Sequence, residues 1–176
     1  LGFNPAYNEQ EINQMIAKLV VSKLEAKGAK VLMIDTQQSW LSIENRLGQA
    51  KDFNSSLLVS IHQNSAGSTS SANGIESYYF NDFSQSLASY ICANVNEAAG
   101  TNIRYGTNGD GSVFGYMAMT RDSAFPANLV ECGFVTNPEE YEKLLTASYR
   151  DKLADGIVEG IEEYFNSTYT ANLTGT

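Results

Sequence analysis

The run Ser56-Leu57-Leu58-Val59-Ser60-Ile61 constrains this chain more than any other feature. Its apolar residues are nearly continuous rather than alternating, the pattern of a strand covered on both faces. Asn128-Leu129-Val130-Glu131 reads as a second buried strand and Val31 to Ile34 as a third. Gly74 to Phe80 adds Ile75, Tyr78, Tyr79 and Phe80, all strong strand formers. Between these runs the apolar period changes to that of helices. Ile12, Met15, Ile16, Leu19, Val20 and Leu24 share one face over residues 9 to 27, and Gly28 supplies a stop. Residues 42 to 52, with Ile43, Leu47 and Ala50, predict a weaker helix. Residues 85 to 99, with Leu87, Ala88, Ile91, Cys92 and Val95, predict a stronger one closing at Gly100. Strands alternating with helices of this length predict an α/β fold: a single domain with a mainly parallel, twisted sheet flanked by helices.

The remaining punctuation fits that plan. Ser65 to Asn73 reads as a loop, and Thr101 to Gly115, rich in Gly and Asn, as an irregular stretch. Asn137-Pro138-Glu139-Glu140 is a helix start, with Asn as N-cap, Pro at the first position and acids in the first turn. A last helix over about 149 to 165 buries Leu153, Ile157, Ile161 and Tyr164. Residues 1 to 165 are thus expected to form one domain and 166 to 176 a polar tail, a linker start or a disordered end. No internal repeat or interdomain linker is visible. A length of 176 residues suits one substantial core.

Charge and composition exclude several classes of function. Eleven Lys and Arg against twenty Asp and Glu give a net charge of -9, and the cations are scattered. With no basic stripe to neutralise phosphates, nucleic-acid binding is not expected. No apolar run is long enough for a membrane span. Two cysteines, Cys92 and Cys132, are too few for a disulfide framework. A single histidine, His62, rules out any site that needs two from this chain.

Ligands of open α/β sheets bind beyond the carboxyl ends of strands, and that rule selects His62 and Glu131. His62 follows the Ser56–Ile61 run and precedes Gln63 and Asn64. An imidazole at a strand end has a fixed direction, as a metal ligand requires, although a lone histidine also serves as an ordinary satisfied side chain. Glu131 lies within Leu129-Val130-Glu131-Cys132-Gly133-Phe134, where apolar neighbours favour its neutral form and suit it to general base and acid work. Pairing with an Arg, or capping a backbone amide, would explain it equally well. Glu9 opens the first helix, where the macrodipole alone accounts for an acid. Asn64 has the ordinary alternative of a turn or cap residue.

Five blocks in order give these residues a common context. They are Glu9-Gln10-Glu11-Ile12-Asn13, Lys27-Gly28-Ala29-Lys30-Val31, Val59-Ser60-Ile61-His62-Gln63-Asn64, Gly74-Ile75-Glu76-Ser77-Tyr78-Tyr79, and Pro126 through Asn137. Together they resemble the zinc-dependent N-acetylmuramoyl-L-alanine amidases of the amidase 3 type, over about residues 9 to 165. The resemblance implies zinc as cofactor, with Glu9 and His62 as ligands, Glu131 as the catalytic carboxylate and Asn64 as a substrate-binding residue. It implies hydrolysis of the amide between N-acetylmuramic acid and L-alanine in peptidoglycan. An extracellular or cell-wall location follows, with a further wall-targeting domain as a possible partner, because an acidic chain gains nothing from an anionic wall.

In one respect the chain departs from the family pattern. The family's first zinc ligand is a histidine in a Pro-Gly-His-Gly-type turn after a first strand, and neither is present here. Leu1 falls in the loop that would follow them. The expectation is that this segment precedes Leu1; without it, weak zinc binding and little activity are expected. Two other classes compete. One is a non-catalytic peptidoglycan-binding module that has lost its metal, using some of nineteen aromatics, ten of them Tyr, to stack on sugars. The other is a cysteine hydrolase pairing Cys132 with His62. Strand alternation opposes the latter by placing Cys132 on the opposite face from Glu131.

Overall fold

Strand β4 (Ala127–Phe134) lies inside a four-stranded sheet of order β1-β4-β2-β3, with β1 Leu58–Asn64, β2 Glu76–Tyr79 and β3 Ser112–Phe114. The computed structural model describes residues 7–34, 41–67, 71–104 and 110–174. β1 runs parallel to β4 and β2 parallel to β3, while β2 meets β4 antiparallel. The sheet is therefore mostly parallel, and the domain has the expected α/β architecture. Its helices are α1 (Glu9–Ala26), α2 (Ile43–Asp52), α3 (Gln85–Ala99), α4 (Ala118–Arg121), α5 (Pro138–Leu144) and α6 (Ala147–Thr174).

The two faces of the sheet are covered unequally. On one, α1, α3 and α6 bury the main core, including Ile12, Ile16, Ile91, Val95, Val130, Cys132, Leu153 and Ile157. On the other, α2 and α4 cover a small cluster of Ala50, Leu58, Met119 and Ala127. Leu58 and Ala127 stand at the amino ends of β1 and β4. This thinner layer thus covers where those strands start and leaves the row toward their carboxyl ends for polar groups.

Local chemistry sets the helix ends much as the sequence predicts. Asn137 caps α5 with Pro138 in its first turn, as expected; Asn8, not among the expected caps, forms a capping box with Glu11 at the start of α1. Gly100 closes α3 in the left-handed conformation that a residue without Cβ adopts freely. The Tyr141 hydroxyl accepts the Tyr7 N–H and donates to the Tyr7 carbonyl, both at 2.9 Å, which ties the entry of α1 to α5.

Three elements differ from expectation. Val31 to Ile34 forms no strand among the described residues, and Leu32 is 38% exposed. An apolar run becomes a strand only where a neighbour's backbone groups meet it, and no described strand does so here. β3 lies within the stretch expected to be irregular; its three residues are too short to show a period, and β2 supplies the ladder through Ser77–Ser112, Tyr78–Val113 and Tyr79–Phe114. Helix α6 continues through residues read as a polar tail, to Thr174. Ser167 and Thr168 turn their hydroxyls back onto the Tyr164 carbonyl, satisfying polar groups without leaving the helix. The centres of the two expected loops, residues 68–70 and 105–109, lie outside the described residues, as does Leu1.

Candidate active site

Register places the chemistry. His62 on β1 stands opposite Glu131 on β4, and Glu131 stands opposite Glu76 on β2. Paired residues share a face, so the three form one row across the sheet on the side that α2 and α4 cover least. Glu9 joins the row from the first turn of α1, its Oε1 lying 3.0 Å from His62 Nδ1. Two residues selected from strand-end position and one from a helix start are thus brought to one place, 53 residues apart in sequence for Glu9 and His62. Asn64 ends the same strand. Its Nδ2 donates to Glu76 Oε2 at 2.7 Å and its Oδ1 accepts the Ser65 N–H.

The electrostatics separate these carboxylates. Glu9 is held below its ordinary range, first by its hydrogen bond with His62, against an opposing penalty from burial. His62 is raised, again chiefly by that bond. Both shifts favour an ion pair. Glu131 behaves oppositely: burial pushes its carboxyl up to about 7, with His62 only partly offsetting the loss of water. Its Oε2 is buried and takes no hydrogen bond among the described residues. The Arg partner that would have made Glu131 structural is absent, because Arg104 pairs with Glu76 instead, at 2.9 Å. A buried oxygen left unserved is costly to a fold and points to a reactive role.

Sequence reasoning overlooked Glu76 as a site residue. Only 3% exposed, it accepts from Asn64 Nδ2 and the Tyr78 hydroxyl, both at 2.7 Å, besides its ion pair with Arg104. The Arg104 guanidinium also lies 4.9 Å over the Phe134 ring. One signal was available: a carboxylate amid the strand formers of Gly74–Phe80 must find partners or be reactive. Glu140 is a second buried carboxylate, with a purely structural setting. It accepts the backbone N–H groups of Gly74 (2.9 Å) and Phe134 (2.7 Å), tying β4 to the entry of β2. Gly133, at φ +150°, lets the strand turn toward it.

The cysteine alternative does not survive the geometry. Cys132 is fully buried in the main core, on the face away from Glu131, and burial pushes its thiol far above the range of a nucleophile. For a divalent metal the donors fit in kind: a carboxylate oxygen and an imidazole nitrogen face each other, 43% and 36% exposed. They are two in number, and among the described residues no group of three His, Cys, Asp or Glu is assembled.

Fold and site together define an α/β domain with an imidazole–carboxylate pair and a separate carboxylate beside it, one of whose oxygens is buried without a partner among the described residues, the equipment of a hydrolase. The chain belongs to the N-acetylmuramoyl-L-alanine amidase family, whose pattern it matches over residues 2–163. It is 32% identical to the N-acetylmuramoyl-L-alanine amidase LytC of Bacillus subtilis over 89% of the chain, and 30% identical to the probable cell wall amidase LytH of Staphylococcus aureus over 90%. It spans only 31% of LytC and half of LytH. Among solved structures, an N-acetylmuramoyl-L-alanine amidase from Clostridium difficile 630 superposes with a TM-score of 0.83 at 31% identity, covering 94% of this chain and 90% of that one. The catalytic domain of CwlV from Paenibacillus polymyxa gives 0.83 at 28%, covering 92% and 87%.

Proposed function

We propose that this domain hydrolyses the amide between N-acetylmuramic acid and L-alanine in peptidoglycan, with zinc held by Glu9 and His62 and with Glu131 as the catalytic carboxylate. The single observation carrying this reading is one row of side chains: Glu9 and His62 face each other at 3.0 Å, and Glu131, opposite His62 in register, keeps a buried oxygen with no hydrogen-bond partner among the described residues. A zinc ion at that pair would supply a Lewis acid for the scissile carbonyl and lower the pKa of bound water.

Glu131 supplies the proton traffic. A carboxyl poised near 7 accepts a proton from the attacking water and returns it to the departing nitrogen of L-alanine, so the C–N bond breaks and the peptide leaves as a neutral amine. Because Glu131 Oε2 has no hydrogen-bond partner among the described residues, no bond to it must be broken before it moves that proton. Asn64 lies at the rim of the row; its amide, oriented by Glu76 and Ser65, is proposed to bind the substrate backbone with its second Nδ2 hydrogen. The family and its cell-wall relatives support an extracellular or wall-associated place of action, and the net charge of -9 supports reliance on a separate wall-targeting domain. Among the described residues no helix is long and apolar enough to cross a membrane.

The test is release of stem peptides from purified sacculi, with zinc content measured alongside. Hydrolysis by the zinc-loaded protein, lost on Glu131→Gln with zinc retained and lost on His62→Ala with zinc released, is expected. Binding to sacculi that survives a chelator and Glu131→Gln, with no peptide released, would instead identify a non-catalytic binding module.

A further inference from the structure

We propose that Asn13 and Gln63 are positioning residues that hold the Glu9 carboxylate against His62 and so set the affinity of the pair for zinc; the inference rests on Glu9 and His62 being the metal ligands. Glu9 has a flexible side chain at a half-open helix start, yet its carboxylate is pinned. Oε1 accepts from Asn13 Nδ2 at 3.2 Å and from the Gln63 backbone N–H at 3.3 Å, besides its contact with His62 Nδ1. Every hydrogen bond to this carboxylate among the described residues falls on Oε1. One oxygen is fixed and the other is left available.

The bracket is built from two rigid elements. Asn13 stands one turn beyond Glu9 on α1, the spacing at which helix side chains meet. Its amide is oriented by Gln63 Nε2, which donates to Asn13 Oδ1 at 3.2 Å and leaves Asn13 Nδ2 facing Glu9. Gln63 follows His62 on β1 and is 3% exposed, so sheet and core hold it in place. The cost of this arrangement is visible: Gln63 Oε1 is buried without a hydrogen-bond partner among the described residues. Packing alone would favour an apolar side chain of similar size at such a position. The amide group is explained by what its NH2 orients. Strand and helix are thereby coupled through the Gln63 amide, which holds Asn13, and through Asn13, which holds the ligand Glu9, the arrangement by which supporting groups fix ligand direction and metal affinity.

The experiment measures zinc affinity by chelator competition on the full-length protein, and separately the increase in unfolding free energy that zinc produces. Asn13→Leu and Gln63→Met are expected to bind zinc about 10- to 100-fold more weakly, while Gln63→Met, which orphans no buried donor, keeps or gains metal-free stability. Asn13→Gln, which preserves an amide on that helix face, is expected to recover part of the loss. A purely structural role would lower the metal-free stability and leave the zinc increment unchanged. That outcome, or wild-type affinity in both Asn13→Leu and Gln63→Met, overturns the proposal while the ligand reading stands. Failure of the wild type to bind zinc, or binding unaffected by His62→Ala, overturns the ligand reading and the inference with it.

Discussion

Helices α3 and α6 approach so closely that a single methyl group should separate them. A Cβ at Gly156 would stand 2.4 Å from Val95 Cα and 2.7 Å from both Asn94 O and Val95 N. One at Gly160, a turn later, would stand 2.6 Å from Ile91 Cα and 2.8 Å from Ile91 N. All of these are backbone atoms, so no rotamer change relieves the contact. Non-bonded carbons rest at about 3.5–4.0 Å, and the helices must therefore part by roughly 1 Å. A gap of that size forfeits about a quarter to a half of the dispersion between facing atoms. Those atoms include fully buried Ile91, Val95, Leu153 and Ile157. Overpacking of this kind costs about 3 kcal/mol, the top of its usual range. Replacing a helical Gly by Ala returns about 1 kcal/mol.

Gly156→Ala is thus expected to destabilise the domain by about 2 kcal/mol and lower its Tm by roughly 4–8 °C. The control is Gly48→Ala in α2, where an added Cβ meets nothing within 4 Å; it should stabilise by about 1 kcal/mol. Urea unfolding with unchanged m-values, together with thermal melts, reads both effects. Equal signs for Gly156→Ala and Gly48→Ala would refute the packing argument, because propensity alone would then account for both.

Glu131 predicts a pH effect in metal-free protein. Its folded value, about 7, exceeds its ordinary 4.5, so the folded state holds the proton more tightly and stability falls as pH rises through that window. His62, raised by Glu9, acts in the same direction, whereas the contribution of Glu9 itself is lost only at more acidic pH. In chelator, Glu131→Gln should flatten the fall measured by urea unfolding between pH 5.5 and 8.5; an unchanged slope would contradict the assigned environment. Glu140→Leu, which orphans the buried N–H groups of Gly74 and Phe134, should cost about 2–6 kcal/mol in the same assay, and a loss below 1 kcal/mol would count against the clamp. Cys92 and Cys132, both fully buried, should resist a thiol reagent until denaturant is added; stoichiometric labelling of the native domain would contradict their placement.

What the sequence determined by itself was local. Apolar period distinguished α1, α3 and the strands β1 and β4, and caps such as Gly100 and Asn137 are visible because they act within three or four residues of themselves. The strand-end rule also selected His62 and Glu131, although β1 and β4 run on to Asn64 and Phe134 and leave both residues inside their strands. Tertiary structure decided the rest. Whether Val31–Ile34 became a strand, and whether Ser112–Phe114 did, depended on a ladder supplied from elsewhere in the chain. Whether Glu131 was paired or orphaned depended on where Arg104 went, and it went to Glu76. Glu9 became more than a first-turn acid only because α1 lies against the end of β1. Hydrogen bonds and desolvation act through space over a few ångströms. A sequence lists the donors and acceptors, but only the packed sheet determines which of them meet.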